Sequence, residues 1–300
     1  MKQFRDRVVV ITGAASGFGR EFARTGARLG MKLVLADVQR APLDAITAEL
    51  RCAGSEVMSR LCDVRHGSEV QALADAAVAQ YGNIHLLFNN AGVAFGGLIW
   101  ETRETDWDWV LGVNLWGVIH GVRIFTPLML EAAKNDADYE GHIVNTASMA
   151  GLVNAPTMSA YNVSKQAVVS LSETLYHDLA LIDSQIGVSV LCPYFVPTGI
   201  AESHRHRPKA LERGAPPTAS QLETQAMMRK AVASGKLTAA QVADRTFDAV
   251  RDRLFYIFSH PDDMDAVRAR TQDILNAGNP TDPYENMPHI GETLRAMLKS

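Results

Sequence analysis

The sequence predicts an α/β protein built on a doubly wound parallel sheet, as a single domain covering residues 1–300. Apolar runs rich in β-branched residues alternate with helical segments, the pattern of strand–helix–strand units. A glycine-rich turn separates the first apolar run from the first helical segment. Polar motifs follow the carboxyl ends of several runs, where open parallel sheets bind their ligands.

Short apolar runs along the chain have the length and the flanking turn residues of buried strands. They lie at residues 7–12, 32–36, 56–61, 84–89, 141–147, 186–192 and 254–258. Helical patterns fill most of the gaps, for instance at residues 68–81, 105–132 and 159–182. Since parallel strands are joined by right-handed crossovers, this order predicts helices on both faces of the sheet.

The first predicted strand leads into a turn, Thr12–Gly19, whose three glycines are spaced Gly-x-x-x-Gly-x-Gly. Glycine allows a tight turn and a close approach to a pyrophosphate, whose charge the following helix N-terminus favours. An ordinary surface turn is the alternative, but it rarely carries three glycines at the start of a helix. The residues predicted to contact a dinucleotide here are Gly13, Ser16, Gly17, Phe18 and Gly19.

The second predicted strand ends at Asp37. A carboxylate there accepts hydrogen bonds from the ribose hydroxyls of the adenosine and repels the 2′-phosphate of NADP. The sequence therefore predicts NAD as the cofactor. Arg40 lies close enough along the chain to keep NADP as the less favoured alternative, and a simple helix-capping role for Asp37 is the other reading.

Tyr161 and Lys165 are spaced i and i+4, which places them one turn apart on one face of a helix. An ammonium beside a phenol favours the phenolate, so we expect the pKa of Tyr161 to fall below its usual value of about 10. A tyrosine tuned in this way can act as general acid or base on an alcohol or carbonyl oxygen. The spacing alone is weak, and its weight comes from the other motifs.

Five blocks together resemble the short-chain dehydrogenase/reductase family, over residues 5 to 200. They are Thr12–Gly19, the Asn-Asn-Ala-Gly at residues 89–92, Asn114 in Gly-Val-Asn-Leu, Ser148 in Asn-Thr-Ala-Ser-Met-Ala-Gly, and the Tyr161/Lys165 pair. The blocks occur in the family's order, and jointly they are specific. The resemblance implies a Rossmann fold and a nicotinamide-dependent oxidoreductase.

The resemblance also implies roles for the catalytic residues Asn114, Ser148, Tyr161 and Lys165. Tyr161 exchanges a proton with the substrate oxygen, and Lys165 lowers the pKa of that tyrosine and binds the nicotinamide ribose. Ser148 donates a hydrogen bond to the substrate oxygen. The amide of Asn114 is expected to hold a water that relays protons from Lys165; a kinked helix with no catalytic part is the alternative.

Further cofactor contacts follow from the resemblance at the ends of later strands. They are Asp63, Val64, Asn90, Ala91, Gly92, Pro193, Val196 and Thr198, together with Tyr161 and Lys165. Members that bind NADP usually carry a basic residue where this chain has Ser16 or Val38, which agrees with the prediction of NAD. One departure is Tyr194, which stands where the family usually has glycine.

The predicted substrate contacts are Ser148, Tyr161, Phe95, Asn154 and Tyr194, with Ala94, Val153 and Phe195 as neighbours. Their apolar and aromatic character favours a bulky alcohol or ketone over a sugar. The chain also resembles, more weakly, the bacterial members that oxidise aryl-substituted secondary alcohols.

Residues 199–237 form a polar insertion that corresponds in the family to the substrate lid. Its basic run, His204–Lys209, is interpreted as a solvated surface, with recognition of an anionic substrate as the alternative. The C-terminal tail, residues 280–300, has few large apolar side chains. The sequence leaves open whether this tail covers the lid, wraps a neighbouring subunit or frays.

Composition narrows the class of protein further. The chain has 300 residues, is 47% hydrophobic and carries a net charge of −4, which argues against a nucleic-acid-binding surface. It shows no signal peptide and no apolar run approaching the ~18 residues of a membrane span, so we expect a cytoplasmic protein. Cys52, Cys62 and Cys192 are interpreted as reduced core thiols, and no metal site is predicted.

The sequence thus predicts a secondary-alcohol dehydrogenase or ketone reductase acting on a small molecule. A β-ketoacyl thioester reductase is the alternative enzyme, although Asp37 argues against its usual NADPH. A cofactor-sensing regulator without turnover is the alternative from another class. By resemblance, the helices that carry Asn114 and Tyr161 pair with a second subunit, which predicts a homodimer or homotetramer.

Overall fold

A computed structural model describes residues 1–212, 214–285 and 288–299, and it contains a seven-stranded parallel sheet in the order β3-β2-β1-β4-β5-β6-β7. The strands are β1 Val8–Thr12, β2 Lys32–Asp37, β3 Val57–Leu61, β4 Leu86–Asn89, β5 His142–Thr146, β6 Gly187–Cys192 and β7 Tyr256–Phe258. The predicted doubly wound sheet is confirmed, and the strand predictions differ only at their ends.

Helices cover both faces of the sheet. They are α1 Gly17–Arg28, α2 Arg40–Cys52, α3 Gly67–Tyr81, α4 Glu104–Leu111, α5 Gly117–Asn135, α6 Ser159–Leu181, α7 Ala219–Ala233, α8 Ala239–Asp252, α9 Asp265–Leu275 and α10 Pro288–Lys299. A π-helical turn, Gly112–Trp116, joins α4 to α5, so the predicted helix at 105–132 is continuous but widened at Asn114.

Successive side chains of each strand point to opposite faces of the sheet, so the sheet divides the core into two parts. Val9 and Ile11 of β1 pack with Phe22 of α1 and Phe247 of α8 on one face. On the other face Val8 and Val10 pack with side chains of α3, α5 and α6, including Leu73, Phe125 and Leu175. Because both faces of the central strands are covered, β1 is apolar at nearly every position, as buried parallel strands are.

The strand order reverses at β1, which pairs with β2 on one side and β4 on the other. The chain crosses to opposite faces on the two sides of this point, which opens a crevice beyond the carboxyl ends of β1 and β4. The polar motifs of the sequence follow the carboxyl ends of β1 to β6 or lie on the helices beside them.

One segment, Glu104–Asn135, is long and apolar enough to cross a membrane by length and composition alone. Polar residues such as Asp108 and Arg123 interrupt it, so it does not stand out in the sequence as a continuous apolar run. The segment is α4, the π-turn and α5, and its Trp109 and Phe125 are buried in the core. Core helices of globular proteins pass the same test, so the finding is weak evidence for a membrane span.

The cysteines require a second correction. Cys62 and Cys192 are buried free thiols, as expected, but Cys52 is exposed. It is the last residue of α2, and the residues that α2 buries are Leu43, Ile46, Thr47 and Leu50. Among the described residues no group of three or more His, Cys, Asp or Glu is arranged to hold a metal ion.

Candidate active site

A cleft of about 1660 Å³ lies above the carboxyl ends of the strands. This volume exceeds the range of roughly 300–1,000 Å³ typical of a single small-molecule site. Most of the predicted site residues line it, whereas Gly19, Asn114 and Phe95 lie behind its wall in the described chain. The lining residues among them are Gly13, Ser16, Gly17, Phe18, Asp37, Asp63, Val64, Asn90, Ala91, Gly92, Ser148, Asn154, Tyr161, Lys165, Pro193, Tyr194, Val196 and Thr198.

The glycine turn is packed too tightly for side chains. A Cβ on Gly19 would lie 2.1 Å from the carbonyl oxygen of Gly13, and one on Gly13 would lie 2.8 Å from the Cα of Ala91. Gly13 and Gly17 have φ angles of 67° and 51°, which glycine adopts without strain. The side chain of Asn90 fastens the turn by donating to the carbonyl oxygen of Thr12 at 3.0 Å.

Helix α1 starts at this turn and presents its amino end to the cleft. Ser16 precedes it with an extended backbone and no side-chain cap, and the first turn contains no acidic residue. The first N–H groups of a helix lack intrahelical partners and attract anions. The turn therefore fits the pyrophosphate of a dinucleotide.

Asp37 ties the second strand to the glycine turn. Its Oδ2 accepts a hydrogen bond from the backbone N–H of Ala15 at 2.9 Å, and its Oδ1 accepts one from that of Gln39 at 2.9 Å. A carboxylate oxygen can accept two bonds, so each oxygen retains capacity for a ribose hydroxyl. Val38, next in the wall, is half exposed and adds no positive charge.

Asp63 is engaged by a residue that sequence reasoning did not single out. Its carboxylate receives bonds from the Arg65 guanidinium at 2.6–3.0 Å. Burial alone would raise the pKa of Asp63, but the hydrogen bonds and charge of Arg65 outweigh it and lower that pKa. Arg65 also lines the cleft. The side chain of Asp63 is thus committed to Arg65, and Val64 is the apolar surface beside it.

Lys165 is almost completely buried, and its Nζ donates to the carbonyl oxygen of Thr146 at 2.9 Å. The same Nζ lies 5.8 Å from the ring centroid of Tyr161. Burial lowers the pKa of Lys165 to about 8, since it disfavours the ammonium, while the thiol of Cys192 nearby acts in the opposite direction.

The predicted lowering of the Tyr161 pKa is wrong for the protein alone. Burial raises the pKa of the phenol because the phenolate loses its hydration, and a hydrogen bond with the Ser148 side chain only partly offsets this. Lys165 donates its ammonium to the carbonyl of Thr146, so in this structure it does not offset the effect of burial on the pKa of the phenol. The i, i+4 spacing did predict correctly that the two residues share one face of α6.

Ser148 follows β5 at the start of a 3-10 turn, Met149–Gly151. Its Oγ accepts a hydrogen bond from the backbone N–H of Ala150 at 3.1 Å. The hydroxyl lies 3.5 Å from the carbonyl oxygen of Pro193, at the limit of a hydrogen bond. The turn therefore fixes the oxygen of Ser148, and the contact to Pro193 holds the hydroxyl proton only weakly.

Asn114 is fully buried in the π-turn, and its side chain binds the loop after β4. The amide nitrogen donates to the carbonyl oxygen of Val93 at 2.9 Å and to Ser164 Oγ at 3.0 Å, while Oδ1 accepts from the N–H of Val93 at 2.8 Å. A Cβ on Gly92 would lie 3.5 Å from Asn114 Oδ1 and 3.6 Å from Lys165 Nζ. Both amide protons are thus in use, which leaves one lone pair of Oδ1.

Tyr194 and Phe195 line the cleft beyond β6. Their rings pack edge to face at 4.7 Å, and Tyr194 also meets the ring of His260 at 5.8 Å. The backbone N–H of Tyr194 donates to Ser259 Oγ at 2.8 Å, which fixes this loop to β7. About two fifths of each ring is exposed, so both offer apolar surface to the cleft.

The insertion at 199–237 folds as two 3-10 segments, Gly199–His206 and Lys209–Leu211, followed by α7. Ser203 binds it across the cleft, because its Oγ accepts from the N–H of Ala94 at 2.9 Å and donates to the carbonyl of Ala94 at 3.1 Å. On α7, Thr224 packs against Gly96, because a Cβ added to Gly96 would lie only 2.2 Å from Cγ2 of Thr224. The insertion therefore covers the cleft.

The basic run is not a uniformly solvated surface. The guanidinium of Arg207 forms a buried ion pair with Asp106 at 2.5 Å and stacks over Trp109 at 5.2 Å. Arg205 and His206 are exposed residues in the wall of the cleft. Burial is the main cause that lowers the pKa of His206, followed by Arg205, while Asp37 acts against it.

Sequence reasoning missed the C-terminal part of the cleft. Helix α9 and the segment after it contribute part of the wall, including Ile274, Asp282 and Tyr284. Helix α10 packs against α7 of the lid, with Leu294 buried. The sequence signal for this packing was the position of Leu294 on an amphipathic helix. Such a pattern predicts a buried face but does not identify the element against which the helix packs.

A family model described as short chain dehydrogenase matches residues 7–209. The chain belongs to the short-chain dehydrogenase/reductase family. It is therefore related to oxidoreductases that use NAD or NADP, and the resemblance seen in the motifs is confirmed.

Relatives of this family extend the likeness over nearly the whole chain. A crystal structure of a short-chain dehydrogenase/reductase from Burkholderia phymatum in complex with NAD is 55% identical, with a TM-score of 0.91, and the match covers 94% of this chain and 99% of the other. The "CLA biosynthesis dehydrogenase/reductase" of Lactiplantibacillus plantarum is 35% identical over 93% of this chain and 97% of its own length. The "C alpha-dehydrogenase" of a Sphingobium species is 32% identical over 93% and 89%.

Proposed function

We propose that this short-chain dehydrogenase/reductase is an NAD-dependent secondary-alcohol dehydrogenase that also reduces the corresponding ketones, with Tyr161 as the acid/base. The observation that carries the proposal is that Tyr161, Ser148 and Lys165 lie in the wall of one cleft with the glycine turn and Asp37. A nicotinamide cofactor accepts or supplies the hydride in such chemistry. The names of the relatives, dehydrogenase and reductase, agree with this reaction class.

Tyr161 takes the proton of the alcohol in oxidation and returns it in reduction. Its phenol is partly accessible from the cleft and hydrogen-bonded to Ser148. Because burial raises the pKa of this phenol, the neutral form suits the donation of a proton to a carbonyl oxygen. Removal of a proton from an alcohol requires positive charge close to the phenolate, and Lys165 bears such a charge below its pKa of about 8.

Ser148 orients the substrate oxygen. Its Oγ is fixed by the N–H of Ala150, and its contact to Pro193 is long at 3.5 Å, so the hydroxyl can turn from its hydrogen bond with Tyr161 and donate to an oxygen in the cleft. Asn114 holds the loop at Val93 next to Lys165 and offers one lone pair for a relay water. Its role in this proposal is first to position Gly92 and Lys165, and then to pass protons.

NAD rather than NADP is supported by Asp37 and by the absence of positive charge at Val38. A 2′-phosphate would lie against the Asp37 carboxylate, whose oxygens already accept two backbone bonds. The related structure from Burkholderia phymatum contains NAD, which agrees with the same preference. Arg205 and His206 on the lid also line the cleft and are cations that could favour NADP.

The substrate is proposed to be bulky and apolar, with Tyr194 and Asn154 beside the reacting carbon. Phe95 packs with Trp109 and Val110 behind the wall, so it shapes the pocket indirectly. A β-ketoacyl thioester reductase is less well supported, because Arg207, a buried cation in the described part of the lid, is paired with Asp106. A cofactor-sensing regulator would not need Ser148, Tyr161 and Lys165 in one cleft wall.

The protein is further proposed to act in the cytoplasm as a homodimer or homotetramer. Trp116 and Tyr176 are about half exposed on the helices that would pair with a second subunit, α6 and the helical segment around Asn114. Trp107 and Trp109, by contrast, pack inside the chain.

Turnover with NAD and a panel of secondary alcohols tests the proposed function. We expect NAD-dependent oxidation of aryl or cyclic secondary alcohols, and NADH-dependent reduction of their ketones. Reduction of β-ketoacyl thioesters in preference to these ketones would favour the alternative enzyme. Cofactor binding without turnover of either class would favour the regulator.

A further inference from the structure

The cleft extends well beyond the predicted catalytic residues. From Ser148 and Tyr161 it continues past Tyr194 and Phe195 to a wall that the chain after β7 forms. We call residues 263–285 the C-terminal wall. This wall is far in sequence from every motif of the family, and its residues have no part in the proposed reaction.

Apolar and aromatic side chains from three separate segments meet in this part of the cleft. Tyr194 comes from the loop after β6, Met227 and Met228 from lid helix α7, and Ile274 and Tyr284 from the C-terminal wall. Ile274 has 63% of its surface exposed, a high fraction for a large apolar side chain. Such surface gains free energy when an apolar ligand covers it.

Tyr284 is held in place by its own neighbours. Its backbone N–H donates to Asp282 Oδ1 at 2.9 Å, and the other oxygen of Asp282 receives Arg295 of α10 at 2.9 Å. Helix α10 in turn packs on α7. The phenols of Tyr284 and Tyr194 lie close enough that Tyr194, after burial and Asp282, helps to raise the pKa of Tyr284.

The rim of the same region is acidic. Among the lining residues of the C-terminal wall and of α7, the cations are Arg270 and Lys230, and the carboxylates outnumber them. The carboxylates are Asp263, Asp265, Asp273, Asp282 and Glu285. A negative potential at a cleft mouth disfavours the entry of an anion, and salt weakens this effect.

We propose that the C-terminal wall is a substrate subsite in which Tyr284 and Tyr194 bind an uncharged apolar group beyond the reacting carbon, and whose acidic rim rejects substrates that end in a carboxylate. The inference rests on the proposed alcohol dehydrogenase function and adds a substrate class to it. Neutral aryl or extended apolar alcohols fit this subsite, and fatty-acid-like anions do not.

The test compares three ketones as ligands of the NAD-loaded protein by calorimetry: 4-acetylbiphenyl, its 4′-carboxylate and acetone. With NAD bound, no hydride is available for reduction of a ketone, so the heat reports binding alone. Tyr284→Ala should weaken binding of 4-acetylbiphenyl about tenfold, as expected for loss of roughly 50 Å² of apolar contact. Tyr284→Phe keeps the ring and should stay within about twofold of wild type. Binding of NAD should be retained in both variants, because Tyr284 is not among the residues proposed to bind the cofactor.

The rim is tested with the carboxylate. It should bind about tenfold more weakly than 4-acetylbiphenyl. This difference in Kd should become smaller at about 0.5 M salt, where charges are screened within a few ångströms. Asp263→Asn should also reduce the difference in Kd between the two ligands. The control Asp75→Asn, which removes an exposed charge on α3, should leave that difference unchanged.

Unchanged binding of 4-acetylbiphenyl by Tyr284→Ala would overturn the subsite, and so would an equal loss for acetone, which would indicate a general distortion. Equal binding of the ketone and its carboxylate would overturn the role of the rim. Absence of turnover in the wild type would count against the proposed function alone, because the binding measurements do not require a reaction.

Discussion

The proposed cofactor half and the proposed substrate half of the cleft are built in different ways. The cofactor half consists of strand ends and the turns that follow them, fixed by hydrogen bonds such as Asp37 to Ala15 and Asn90 to Thr12. The substrate half consists of segments from distant parts of the chain, joined through side chains such as Arg207 and Asp106. The motifs of the first arrangement are recognisable locally at the strand ends, and the sheet brings them together, whereas the contacts of the second follow no local motif.

The largest expected effect lies where the two halves meet. Tyr161→Phe removes the proton-transfer group and keeps the ring, so we expect turnover to fall by about 10²–10⁴-fold, with NAD binding retained. Steady-state kinetics and a cofactor titration measure the two quantities. Near-normal turnover in the folded variant would remove Tyr161 from the mechanism.

The next effect concerns the attachment of the substrate half. Arg207→Ala removes one member of the buried ion pair with Asp106, which should reduce the free energy of unfolding by about 3–5 kcal/mol. We also expect the KM for substrate to rise, since the lid loses its anchor on α4. Urea denaturation measures the first change and kinetics the second.

Arg205→Ala provides the control for this lid prediction. Arg205 carries the same charge two positions earlier but is exposed, so its removal should change stability by no more than about 0.5 kcal/mol. Equal stability of the two variants would show that the buried pair does not hold the lid.

The cofactor half is tested by changing its specificity. Asp37→Ser combined with Val38→Arg removes a repulsive carboxylate and adds a partner for the 2′-phosphate. We expect the ratio of kcat/KM for NADP to that for NAD to rise by one to two orders of magnitude, about 1.4–2.8 kcal/mol. A wild type that already prefers NADP would contradict our interpretation of Asp37.

The smallest expected effect concerns Tyr194, at the boundary of the halves. Tyr194→Gly restores the residue usual in the family and removes apolar surface from the cleft, which contributes roughly 25 cal/mol per Å² when covered. We expect kcat/KM for an aryl alcohol to fall several-fold relative to that for 2-propanol, with NAD affinity nearly unchanged. If only NAD affinity changes, Tyr194 does not shape the substrate pocket.

The sequence alone determined the strand–helix order, the sheet, the glycine turn and the family, because each depends on periodicity or on residues close together in the chain. The placement of Tyr161 and Lys165 on one helix face followed from their spacing in the same way. Only the tertiary structure decided the direction of the Tyr161 pKa, since burial and the turn of Lys165 to Thr146 depend on distant elements. It also decided that Arg207 is buried against Asp106 and that Tyr284 reaches the cleft. The Arg207–Asp106 pair joins residues 101 positions apart, and no local pattern specifies which distant partner a side chain meets.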